Sequence, residues 1–274
     1  MTNCIVCESR LLEINDFVYK CNNCNFLKSN LKPGFGREIE GITELRRKNF
    51  VKLINKIINL NNSKNFRILE IGSGNGFFIE ECKKFDLNIT GSEADLNQLS
   101  KLKKKFHETL NISLPLSKLE PHNIGEYDII VFNDVFEHLA NLDKVIVQLS
   151  DILKPNGKIL INLPSSNGII FKISSLLYRF GIKNFYNRLW QKDLSSPHLS
   201  YFNNYNLEKL FKKFNYKLIY SDSLDTVSKT GNYERLNSTI DNKFVCFSFS
   251  VLLIIFYFIQ KILPKDIIYH IYSK

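Results

Sequence analysis

No apolar run opens this sequence. Its first residues, MTNCIVCESR, lack the hydrophobic stretch of a secretory signal, so a cytoplasmic location is the expectation. No phosphate loop of the form glycine, four residues, glycine, lysine and serine or threonine occurs anywhere, which argues against a P-loop nucleotide enzyme. No internal repeat is visible. Acidic residues are in short supply, 27 against 37 Lys and Arg, for a formal net charge of +10. That balance invites a nucleic acid or an anionic membrane as partner, but the abundance of Lys, Asn and Ile expected of A/T-rich codons gives the same charge, and both readings stay open. Cysteine is scarce too. Four of the six fall in two CxxC pairs, which suits metal-bound thiolates in a reducing compartment better than a disulfide framework.

What remains is the composition of a folded protein. At 44% hydrophobic and 23% charged, the 274 residues can bury one full α/β domain plus an accessory element. The accessory element is expected at 1–30. There Cys4 and Cys7 form one knuckle and Cys21 and Cys24 the other, with a short spacer between them. Two such knuckles can close a tetrahedron around a structural zinc ion, a ribbon-like site with no open position for catalysis. Cys82 and Cys246 sit in apolar contexts and are expected in the core.

After a linker containing Pro33, Gly34 and Gly36, a basic helix is expected from about Thr43 to Leu60, and strand and helix signals then alternate. FRILEI is a short apolar run ending at glycines, FFIEECKKF a helix and LNITGSE a second strand. DIIVFN at 128–133 suits a strand buried on both faces. Leu142, Val145, Ile146, Leu149 and Leu153 recur at helical spacing up to Pro155-Asn156-Gly157, which should stop that helix before the strand KILINL. Leu207, Leu210, Phe211 and Phe214 mark another helix face, ahead of the strand YKLIYSD. This alternation predicts a doubly wound, mostly parallel α/β sheet with its ligand crevice at the carboxyl ends of the strands.

That crevice would open at ILEIGSGNG, positions 68–76. Gly72, Gly74 and Gly76 are spaced GxGxG, whereas the dinucleotide fingerprint is GxGxxG. Glu70, in the strand just before the turn, would repel a pyrophosphate but suits a cationic amino-acid group. Glu93 ends the second strand, where an acid can accept hydrogen bonds from both hydroxyls of an unphosphorylated ribose. Taken singly, Glu70 could be a surface strand residue and Glu93 a helix N-terminal acid favoured by the dipole.

Together ILEIGSGNG, TGSEADLNQL, YDIIVFNDVFEHLANLDKVIVQLSDILKPNGKILINLPS and HLSYFNNYNLEKLFKKFNY resemble a class I S-adenosylmethionine-dependent methyltransferase. The resemblance is to the broad subgroup that includes ubiquinone-biosynthesis-type and sugar-modifying enzymes, several of which also carry an amino-terminal zinc-binding segment. It implies a seven-stranded Rossmann-like sheet, with the methyltransferase domain over about 40–223 and an apolar helix and closing strand over 224–274. It further implies that Glu70, Gly72, Ser73, Gly74 and Gly76 hold the methionine part of S-adenosylmethionine. Glu93 would bind the ribose, Ala94 would pack near the adenine, and Asn133 and Asp134 would line the donor pocket. The family often has an Asp near the adenine amine after the third strand. LPLSKLEPHN offers only Ser117 there, so that contact stays unassigned.

Methyl transfer from a sulfonium is an in-line displacement in which alignment does most of the work, and a general base helps where the acceptor is a hydroxyl or an activated carbon. His138 is the first candidate for that base, with Glu137 to orient its ring. His198, on the loop before the helix near 206, is the second. On the acceptor side, the stretch 164–192 carries Lys172, Arg179, Lys183, Arg188 and Lys192 and no acid, interleaved with Phe171, Tyr178, Phe180, Phe185, Tyr186 and Trp190. Such a stretch could lie in a membrane interface, stack on a nucleic acid, or fold as a cap onto the domain. FVCFSFSVLLIIFYFIQ, at 244–260, carries no charge at all. A spanning helix would strand IIYHIY across the bilayer from its sheet, so a monotopic contact is the expectation. These features point to a small-molecule or lipid-linked-glycan acceptor met at the cytoplasmic face of a membrane. The alternative is an RNA methyltransferase with a zinc-bearing recognition element. Against it, NDVF is neither the Asn/Asp-Pro-Pro-aromatic signature of base-amine methylation nor a Pro-Cys nucleophile.

Overall fold

The protein is described by a computed structural model that covers residues 3–35, 43–116, 126–229, 231–237 and 242–274. Seven strands form the main sheet. In chain order they are β4 (Arg67–Ile71), β5 (Asn88–Glu93), β6 (Thr109–Asn111), β7 (Tyr127–Asn133), β8 (Leu153–Pro164), β10 (Lys217–Leu224) and β11 (Ile267–Ser273). Across the sheet they run β10-β11-β8-β7-β4-β5-β6. β4, β5, β6, β7 and β8 pair in parallel, and β11 lies antiparallel between β8 and β10. The strand order reverses between β4 and β7, and a crevice opens there at the carboxyl ends of the strands.

Each face of the sheet buries its own helices because the central strands are apolar on both sides. On one face, Leu53, Ile54 and Ile57 of α1 (Thr43–Asn61) pack with Phe78, Ile79 and Cys82 of α2 (Phe77–Lys84) and Leu102 of α3 (Leu96–Lys105). On the other, Leu142, Val145, Ile146 and Leu149 of α4 (Leu142–Ile152) pack with Leu207, Leu210 and Phe211 of α7 (Asn204–Lys213). Cys82 and Cys246 are buried, as their contexts predict. Leu153, expected on the last turn of α4, instead begins β8. The proline-asparagine-glycine turn is absorbed as an irregularity in the β7–β8 ladder, where Tyr127 faces Leu153 but Ile129 already faces Lys158. Asn156 adopts the left-handed conformation (φ 62°) that lets the chain turn there.

The amino-terminal segment forms three short strands, β1 (Leu11–Glu13), β2 (Val18–Cys21) and β3 (Leu27–Ser29). They share a second sheet, β1-β2-β3-β9, with β9 (Ser200–Tyr201) from the far side of the sequence. Of the linker that follows, Gly36 lies outside the described residues. Between β8 and β9 lie α5 (Ile169–Arg179) and α6 (Asn184–Leu189), the basic aromatic insert. Its Phe171, Tyr186 and Trp190 are buried against Phe17, Val18 and Leu27, so the insert folds down as a cap. The carboxyl-terminal region contributes α8 (Asn232–Asn237) and α9 (Lys243–Ile259) before β11 returns to the sheet. Among the described residues no helix is long and apolar enough to cross a membrane.

Candidate active site

One cavity of about 1400 Å³ runs along the carboxyl ends of the central strands, larger than a drug-sized ligand alone requires. Its inner wall is the glycine turn between β4 and α2. Gly72 and Gly76 have φ of 70° and 78°, and a Cβ would lie 2.8 Å from Val135 Cγ2 at the first and 2.4 Å from Phe106 Cε2 at the second. Only glycine fits both positions. The turn is tied to the next strand through Ser73, whose backbone N–H donates to Ser92 O (2.8 Å) and whose hydroxyl accepts from Ser92 N (3.1 Å).

Glu93 stands where β5 ends. One carboxylate oxygen accepts from Gly74 N at 3.0 Å and the other from Ala94 N at 2.9 Å. The half-buried carboxylate faces the cavity with acceptor capacity left, which fits a vicinal diol. Glu70 is buried, and its Oε1 accepts from Asn133 Nδ2 (2.9 Å), whose amide oxygen in turn accepts from Asn162 Nδ2 (3.0 Å). This chain of amides holds a carboxylate in a place where bulk water would otherwise be needed to stabilise it. Asp134 sits just beyond β7 at φ 53°, with Arg46 of α1 at 3.7 Å. Glu70, Gly72, Ser73, Gly74, Glu93, Ala94, Asn133 and Asp134 all line the cavity; Gly76 shapes the turn from behind. An acid, a glycine cradle and a second acid in that order suit S-adenosylmethionine: the first for its cationic amino group, the last for its ribose. Ser117 lies outside the described residues; Ile112, Ser113 and Leu114 line the adjoining wall.

The outer wall carries the second set. Glu137 and His138 lie on a single 3₁₀ turn after β7, and His198 on the segment before β9. The two imidazoles meet edge to face with centroids 4.6 Å apart. Glu137 lies between them, its Oε1 4.0 Å from His138 Nε2 and 3.9 Å from His198 Nε2. It is buried, and neither of its oxygens accepts a hydrogen bond from a described residue. Burial, with Asp134 nearby, pushes its carboxyl well above the usual range, which favours the protonated form. Burial also pushes His138 down to about 4 and His198 well below its ordinary value. Both rings are therefore neutral. The Pro197 carbonyl at 3.0 Å accepts from His138 Nδ1–H, which leaves the Nε2 lone pair free to take a proton. Gln191 Nε2 donates to His198 Nε2 at 3.0 Å, so that ring presents no free lone pair of its own.

Arg46, Asn162, Gln191 and Tyr201 join the site without a signal in the sequence that marks them. Tyr201 stands in the quoted HLSYF, shortly after His198, and its hydroxyl donates to Leu189 O at 3.0 Å. Nothing in the local sequence distinguishes Arg46 from the other basic residues of α1. The four cysteines do converge: Cys4 and Cys24 sulfurs lie 3.5 Å apart, Cys7 and Cys21 sulfurs 3.4 Å, and all four fall within 4.8 Å of one another. Tetrahedral zinc with bonds of about 2.3 Å asks for sulfurs about 3.8 Å apart, so the set fits that ion.

A family model described as a methyltransferase domain matches residues 42–221. The ubiquinone biosynthesis O-methyltransferase of Shewanella pealeana is 26% identical over 105 residues, covering 37% of this chain and 44% of that protein. The malonyl-[acyl-carrier protein] O-methyltransferase of Priestia megaterium is 32% identical over 114 residues, covering 40% and 41%. The match thus spans less than half the length of these curated relatives. Among solved structures, a cyclopropane synthase from Mycobacterium tuberculosis superposes with a TM-score of 0.50 at 17% identity, over 81% of this chain and 84% of that one. A SAM-dependent methyltransferase from Archaeoglobus fulgidus gives 0.50 at 14% identity, over 85% and 97%. At these identities the structural likeness speaks to the fold.

Proposed function

Because the chain belongs to the class I S-adenosylmethionine-dependent methyltransferases, we propose that it methylates a small-molecule acceptor, a sugar or lipid-linked glycan, at a membrane face. The observation that carries this reading is the shared cavity: Glu70, the glycine turn and Glu93 line one end of it, and His138 and His198 line the other. Bound at the first end, S-adenosylmethionine supplies an electrophilic methyl group. Glu70, Asn133 and Glu93 orient the donor. His138 Nε2, neutral and free of a competing hydrogen bond, accepts the proton that the acceptor hydroxyl loses, while the Pro197 carbonyl and the edge-on His198 ring hold the imidazole and Glu137 stands 4.0 Å from its Nε2. The four cysteines hold a structural zinc ion.

Membrane contact is read from α9. Its outward side exposes Phe244, Phe247, Val251, Leu252, Ile255 and Phe258, while the buried side carries the small Cys246 and Ser250. Val245, Phe249 and Leu253 of the same helix line the cavity, so an acceptor resting in a bilayer would meet the site without crossing water. The RNA alternative loses three of the insert's six aromatics, since Phe171, Tyr186 and Trp190 are buried and unavailable to stack on bases, while Phe180 and Phe185 stay exposed.

The test is turnover of S-adenosylmethionine to S-adenosylhomocysteine with hydroxylated sugar and polyprenyl-linked acceptors. His138→Ala is expected to slow the reaction by about 10²- to 10⁴-fold, the usual contribution of a general base. If His138→Ala leaves turnover intact while His198→Ala abolishes it, the assignment of the base is wrong.

A further inference from the structure

The cysteine element is joined to the acceptor side of the cavity rather than to the donor side. β3 begins just after Cys24 and pairs with β9, Leu27 opposite Tyr201 and Lys28 opposite Ser200. The next residue, Ser29, is buried and makes two further bonds to the same segment. Its N–H donates to Leu199 O at 2.9 Å, and its hydroxyl donates to His198 O at 2.9 Å. On the opposite side, Leu199 N donates to Glu137 O at 2.8 Å and His198 N to Trp190 O at 3.0 Å. The backbone of His198 is therefore clamped between the cysteine element and the turn that carries Glu137 and His138. A second tie lies just beyond: Asn206, the capping-box partner of Asn203 in the first turn of α7, donates from Nδ2 to Cys24 O at 3.2 Å. Phe26 packs on Phe202 with centroids 5.1 Å apart.

The cysteine element is too short to bury a core of its own, and elements of this size depend on a bound metal for their shape. We propose that the cysteine element is the positioning platform of the acceptor site, with Ser29 holding His198, so that zinc at the cysteines sets the geometry of the histidine pair. The inference rests on His198 belonging to the acceptor end of the cavity. It assigns the element a task in catalysis that mere stabilisation of the fold would not require.

Hydrogen exchange on the full chain separates the two roles. Withdrawing zinc with a chelator is expected to speed exchange of the amides from His198 to Tyr201 by about tenfold or more, while amides of 68–76 and 88–93 stay within about twofold. Affinity for S-adenosylmethionine, read by calorimetry, should likewise change by less than about twofold. With zinc retained, Ser29→Ala should speed the same amides and move the imidazole resonances of His198, and Ser29→Thr should restore both. Unchanged exchange at 198–201 after zinc withdrawal and in Ser29→Ala overturns the proposal. So does acceleration spread equally over 68–76, which would make the element a general stabiliser. Failure of the wild-type protein to bind S-adenosylmethionine would instead sink the methyltransferase reading, and leaves the exchange result independently legible.

Discussion

At the scale of single residues the two buried histidines and the acid between them make pH the most informative variable. His138 is held at about 4 when folded, against an ordinary 6.5. Between those values the unfolded chain binds a proton that the folded chain does not. Stability is thus fully present above about pH 6.5 and is lost as pH falls toward 4, by roughly 3 kcal/mol for this group. His270, buried in β11 and also pushed down to about 4, adds a loss of the same sign over the same window. Denaturant midpoints measured at pH 7.5 and 5.0 check this, and His138→Gln should flatten the difference. Glu137 works in the opposite direction. Its raised carboxyl pKa means that stability falls as pH rises above the unfolded value of about 4.3, so Glu137→Gln should unfold at higher denaturant than the wild type at pH 8, with the gap closing near pH 4. With His138 as the proposed base, held down to about 4, kcat/KM should be level from pH 8 down to about 5 rather than halving near 6.5.

Among the elements, the cap formed by α5 and α6 and the apolar helix α9 behave differently from each other. Trp190 is fully buried, with Phe17 edge-on at 6.0 Å and Tyr201 at 4.8 Å. Trp190→Ala should cost about 3–5 kcal/mol in chemical denaturation, the range for removing a large core aromatic. The outward residues of α9 have no such packing. Phe247→Asp and Phe258→Asp should leave the denaturant midpoint within about 0.5 kcal/mol of wild type. The pair should also reduce cosedimentation with vesicles of phosphatidylglycerol and phosphatidylcholine by about tenfold, and undiminished vesicle binding would remove α9 from the membrane reading. The contrast explains what could be read in advance. β4, β7, α4 and α7 are each one continuous periodic segment, and the residues expected to hold the donor lie where β4, β5 and β7 end, so a local pattern suffices to nominate them. β8 begins five residues before the apolar run that marks it, because Leu153 and the turn after it have no strand period. The Phe17–Trp190–Tyr201 core joins the amino-terminal strands to a cap inserted far along the chain, and it has no period to betray it. Glu137, an acid beside a histidine in FEHL, shows nothing locally of the burial that raises its carboxyl pKa.

The molecule as a whole is a mostly parallel sheet whose crevice is lined on one side by the turns that end its own central strands and on the other by an internal cap and by segments from both ends of the sequence. The glycine turn and Glu93 come from the sheet itself. The wall opposite is assembled from the cap, from β9 as paired to the cysteine element, and from α9, so under the proposed assignment donor recognition should survive damage to the periphery that acceptor recognition does not. The most direct measurement is therefore calorimetric titration of the full protein with S-adenosylmethionine, with Glu93→Ala alongside. The wild type should bind saturably at one site, and loss of the charged acceptor should weaken binding by about 10- to 100-fold. No saturable binding by the wild type, or equal binding by Glu93→Ala, would contradict the assignment of this cavity to the methyl donor.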